Sequence, residues 1–166
     1  MIAALRSRGL KVLGTIGLIF ITTLVYADEH AYKPGGQDTK YILKQGEKWA
    51  TDEVVRLGMD NIRQAVTANQ NDIIKEHFST QGYQQLANVI DKNVANIVKN
   101  CKLTQGADKA FHVIVLVDLM DGVKFMRTSQ NVQAQRVGAL SVLQTLRNYG
   151  KYFQHPGWSM DVAKSH

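Results

Sequence analysis

The stretch YQQLANVIDKNVANIVKNC, residues 83–101, decides the fold class. Tyr83, Ala87, Ile90, Val94, Ile97 and Cys101 recur at steps of 4, 3, 4, 3 and 4. That is a seven-residue seam along one face of a helix, and Cys101 is its last member. Ser79 or Thr80 stands where an N-cap is needed. Upstream, Val55, Met59, Ile62, Val66 and Ile73 step by three, four or seven. They predict a helix over about residues 48–75, with the polar run 67–72 as a place to kink or split it.

Downstream, Gly106 is expected to end the second helix and Asp108 to cap a third. His112, Val115, Leu119, Val123 and Met126 then form its inward row. Residues 111–117 are rich in β-branched side chains and read alone as a strand. The apolar pattern continues to Met126, so a helix is the better reading. A fourth helix opens near Thr128 and Ser129 and buries Leu140, Leu143, Leu146 and Phe153. It stops by His155, because Pro156 disfavours helical geometry in the residue before it. Pro34 and Pro156 are the only prolines, and both fall outside the periodic region. Four amphipathic helices with short connections predict an all-α, up-down-up-down antiparallel four-helix bundle.

The N-terminus reads as an address. Arg6, Arg8 and Lys11 precede the apolar stretch 12–25, and Ala27 supplies a small residue just before Asp28 and Glu29. This is the layout of a secretory signal peptide over residues 1–27, cleaved after Ala27. The run is short and interrupted for a transmembrane span, although an uncleaved anchor is the competing reading. The expected organisation is a signal at 1–27, a polar leader at 28–46, the bundle at 47–158 and a tail at 159–166. The protein is then periplasmic, with no stable membrane span after cleavage.

Three of the 20 basic residues lie in the signal, which leaves 17 against 14 acidic ones and a mild net charge of +3. No basic block or aromatic-interleaved basic strip occurs, so nucleic acid is a poor partner. The single cysteine rules out an internal disulfide. Cys101 is therefore a small buried hydrophobe, a ligand, a redox centre or a crosslink.

In the expected bundle one end collects Cys101, His112, His155 and Asp52. Thiolate and imidazole suit copper or zinc, with Cys101 as anchor, the two histidines as ligands and Asp52 as fourth ligand or orienter. Each residue also has a simpler reading. Cys101 can be core, His112 a capping group, His155 a tie for the C-terminal segment, and Asp52 a charge placed at a helix N-terminus. Met59, Met120 and Met126 at helical spacing read as core filler. No oxyanion hole or phosphate loop is evident, so catalysis is not the expected role.

The region 47–155 resembles the cytochrome b562 and cytochrome c′ class of periplasmic four-helix bundles. No C-x-x-C-H motif is present, which excludes covalent haem of the c′ form. The resemblance to b562 implies haem b held by Met59 and His155. The segments Asn100-Cys101-Lys102-Leu103 and His155-Pro156-Gly157-Trp158 are also similar to those of small proteobacterial exported proteins, a likeness that names no activity. The expected function is therefore copper or zinc binding in the periplasm. The alternatives are a non-catalytic module that binds another periplasmic protein, and a haem-binding electron-transfer bundle.

Overall fold

The computed structural model describes residues 47–160. The signal expected at 1–27, the leader expected at 28–46 and residues 161–166 lie outside them. The described part is 76% helical and contains no strand, so the domain is all-α. Its helices are α1 (Glu53–Ala68), α2 (Gln70–Ile74), α3 (Thr80–Asn100), α4 (Gln105–Phe111), α5 (Val117–Thr128) and α6 (Val132–Tyr152). A π-helical turn, His112–Leu116, joins α4 to α5 without a break in the helical backbone. Among the described residues no helix is long and apolar enough to cross a membrane.

α1, α3, α4 and α6 each start where a short polar side chain takes up a free backbone N–H group. Asp52 begins α1 by accepting from the Val55 amide at 2.8 Å. Ser79 begins α3 through the Gly82 amide at 3.1 Å. Thr104, not Asp108, caps α4, and Asn131, not Thr128 or Ser129, caps α6. Gly106 does not end a helix. It lies in the first turn of α4, where an added Cβ would come within 2.9 Å of the Trp49 ring.

The expected first helix divides at Asn69, whose side-chain amide bonds back to the Ala65 carbonyl at 2.8 Å. Such a local bond competes with the helical ladder. The end of α2 is a Schellman motif. The His77 amide reaches the Asp72 carbonyl at 2.8 Å and the Glu76 amide reaches Ile73. Glu76 holds the left-handed position at φ 62° that glycine usually fills.

The seam residues read from the sequence form the core. Val55, Met59, Ile62, Val66 and Ile73 are fully buried, as are Ala87, Ile90 and Ile97. Burying each large aliphatic side chain contributes about 1.5–3 kcal/mol. Cys101 is only partly buried and serves as the C-cap of α3. Met59 and Met126 are core, but Met120 is 38% exposed.

α1 packs on α3, α3 on α5, and α5 most extensively on α6. The α5–α6 contact closes at a pair of glycines. A Cβ on Gly138 would lie 2.7 Å from the Gly122 carbonyl oxygen, and one on Gly122 would lie 2.8 Å from that of Gly138. Only residues without a side chain let the two backbones approach this closely.

Candidate functional site

The chemistry-bearing residues do not gather as the sequence suggests. Among the described residues, no group of three or more His, Cys, Asp or Glu side chains is placed to hold a metal ion. His112 is exposed. The Val117 amide bonds to the His112 carbonyl, the i to i−5 contact of a π turn. This wider turn puts Phe111 and Val115 into the core and carries His112 off the seam.

Asp52 is spent on backbone. One carboxylate oxygen caps α1, and the other accepts from the Lys102 amide in the loop after α3. It thereby ties that loop to the start of α1. Cys101 feels this carboxylate, but burial is the larger effect, and both push the thiol above its ordinary range. A protonated thiol is a poor nucleophile and a poor metal ligand.

His155 sits elsewhere, in a strap that follows α6. Residues His155, Pro156, Gly157 and Trp158 form a β-turn closed by the Trp158 amide on the His155 carbonyl at 3.1 Å. Proline at the second position and Gly157 at φ 77° make it type II. The turn places the His155 and Trp158 rings 5.0 Å apart. Both imidazole nitrogens are engaged, Nδ1 with the Tyr149 hydroxyl at 3.0 Å and Nε2 with Asp60 Oδ2 at 3.2 Å.

Geometry and protonation together assign the direction of these bonds. Burial raises the Tyr149 pKa, so its phenol keeps its proton and donates to Nδ1. Nε2 then carries the hydrogen and donates to Asp60. Arg63 pairs with the same carboxylate at 3.0 Å and also lies over the Trp158 ring at 5.3 Å. Burial lowers the His155 pKa, while the Asp60 carboxylate opposes that effect.

The strap also holds the incoming chain. The Trp49 amide bonds to the Tyr152 carbonyl at 2.9 Å, and the Gln154 amide bonds to the Trp49 carbonyl at 2.8 Å. Lys48 Nζ reaches the Gly150 carbonyl at 2.7 Å, and the Thr51 hydroxyl donates to the Gln154 carbonyl. Beneath lies an aromatic cluster. Tyr149 and Phe153 stack at 5.3 Å, and Phe111 meets Phe153 edge-on at 5.6 Å. Gly150 admits Trp158, whose Cδ1 would lie 2.4 Å from an added Cβ.

The two residues expected as haem ligands, His155 and Met59, each have their surroundings within the protein. Both nitrogens of His155 are bonded within the protein, and Met59 is wholly enclosed in the core. The residues that complete the cluster, Asp60, Tyr149 and Trp158, carried no local signal as partners. The His-Pro-Gly-Trp turn was legible as a turn. The Asp60 contact spans 95 residues of sequence.

No protein-family profile, curated protein or solved structure matches the chain.

Proposed function

We propose that this chain is an exported, periplasmic, non-catalytic interaction module, with α1, α3, the joined α4–α5 helix and α6 arranged as an up-down-up-down four-helix bundle. The N-terminal basic and apolar pattern supports export. The observation that carries the binding role is the set of large apolar side chains on outward helical positions. Val98 is 60% exposed, Leu57 59% and Val137 49%. Exposed apolar area of this kind gains free energy when another protein covers it. The groups that could do chemistry are used internally, since Asp52 holds a loop and His155 holds the strap.

Site-specific photocrosslinking in cells tests the reading. A photoreactive residue at position 57, 98 or 137 should give a discrete adduct with another exported protein, and one at the charged Lys92 should not. Absence of adducts at all three positions overturns it. Melting with added Cu⁺ or Zn²⁺ separates the metal reading, because a bound ion raises the transition. A Soret band in protein purified from the periplasm would favour haem instead.

A further inference from the structure

The helix that runs from α4 through the π turn into α5 is apolar on both sides. Within residues 111–120, only His112 and Asp118 are polar. Phe111, Val115 and Leu119 fill the core, yet Val117 is 42% exposed and Met120 38%. A helix that is apolar all round is normally covered all round. We propose that this outer face is an interface between two copies of the chain, in which the α4–α5 helices pack antiparallel about a two-fold axis at the level of Val115, with Lys109 of each copy against Asp121 of the other.

Four residues define the face. Lys109, Val113, Val117 and Asp121 stand at steps of four. Lys109, Val117 and Asp121 are exposed and Val113 is half-buried. Steps of four drift by about 40° each around a regular α-helix. The π turn at His112–Leu116 takes more residues to close, so it cancels part of that drift and holds the four nearer to one line. The wide turn that carries His112 off the seam therefore also lays out an outer stripe.

The charges on this stripe select a second copy as the occupant. A cation stands at one end, a carboxylate about 18 Å away at the other, and valines between them. Lys109 and Asp121 have residue 115 as their midpoint, and so do Val113 and Val117. A two-fold axis at that level exchanges each residue with its mate. Lys109 then meets the partner's Asp121, Asp121 meets the partner's Lys109, and Val113 meets the partner's Val117. A parallel pairing would set like charges together instead.

Both charges are available. Among the described residues, no ion pair or side-chain hydrogen bond engages Lys109 or Asp121. Asp121 instead has Asp118 one turn away, and like charges at that spacing repel. Burial, and after it Asp121, pushes the Asp118 carboxyl above its ordinary range. The partner's Lys109 supplies the cation that this pair lacks. The face uses residues other than Leu57, Val98 and Val137, so self-association goes beyond the binding role proposed above and does not rest on it. One helix against one helix is a small interface, so the dimer is reversible and depends on concentration.

Sedimentation velocity of the full chain over a range of concentrations tests this, with far-UV circular dichroism recorded to check folding. Wild type is expected to shift from monomer toward dimer as concentration rises, and less so in high salt. Val117→Asp should keep the helical signal and stay monomeric. Lys109→Glu and Asp121→Lys each set like charges at both contacts and should each weaken the dimer about tenfold or more. Mixing those two variants should restore it, because each copy then finds the opposite charge at both contacts. Wild type that stays monomeric at millimolar concentration overturns the proposal, as does a dimer unchanged in folded Val117→Asp. Should Val117→Asp lose its helical signal, a mixture of the two charge variants that associates no better than either alone overturns it.

Discussion

Replacing Gly138 by alanine should destabilise the protein, although alanine is the better helix former. The new Cβ would stand 2.7 Å from the Gly122 carbonyl oxygen, 2.8 Å from Phe125 Cβ and 3.2 Å from the Met126 amide nitrogen. These neighbours are backbone, or fixed to it, and cannot rotate aside. α5 and α6 must therefore separate by several tenths of an ångström. Met126 also supplies the carbonyl that accepts from the buried Gln135 amide at 3.1 Å, so the shift strains that bond too. Overpacking typically costs about 1–3 kcal/mol, and contact with backbone puts this site at the upper end. The helix propensity of alanine returns about 1 kcal/mol. The net loss is about 2 kcal/mol, or a fall in Tm of about 6–10 °C for a domain of this size.

Urea or thermal unfolding, followed by circular dichroism, measures the loss. Gly106→Ala is the comparison, because its new Cβ meets the Trp49 ring, a side chain able to swing. Its cost should be smaller. Gly122→Ala should behave like Gly138→Ala, and the double variant should lose less than the sum, because one helix displacement relieves both clashes. A Gly138→Ala protein more stable than wild type would refute the close crossing of α5 and α6.

Further outcomes follow from single contacts. Asp52→Ala removes both a helix cap and the Lys102 anchor, and should cost about 1–3 kcal/mol in chemical unfolding; a loss under a few tenths would show that the anchor is idle. Because the folded His155 pKa lies below its unfolded value of 6.5, the unfolded chain binds the extra proton. The His155 contribution is therefore present above that pH and lost as pH falls toward the folded pKa, which a Tm series against pH in wild type and His155→Gln should show. Cys101, with its thiol raised chiefly by burial, should be alkylated by iodoacetamide at pH 7 well below the rate of a free thiol. Glu76→Gly relieves a left-handed residue but breaks its 3.4 Å pair with Arg136 and its bond from Gln133; an unfolding free energy within about 1 kcal/mol of wild type is expected from urea titration, with Glu76→Ala clearly lower.

The sequence by itself determined the helical class and most of the core. Tyr83, Ala87, Ile90, Val94 and Ile97 repeat with the helical period, and that period is a property of the chain rather than of its neighbours. The first stripe, from Val55 to Ile73, and the stop forced by Pro156 were legible for the same reason. Tertiary structure decided which polar residues meet. The inward placement expected for His112 failed because a π turn shifts the helical register by a part of one turn, and β-branched composition alone does not announce it. Met120 carries the right spacing but faces outward, since helix rotation is set by what packs alongside. Asp52 and Cys101 come near each other, yet the Lys102 amide takes the carboxylate that a ligand would need. His155 finds Asp60 and Tyr149 only because the chain turns at Pro156 and Gly157 and lies back over α1 and α6. Periodicity is local, whereas the partner of a buried polar group is whatever the folded chain brings within about 3 Å.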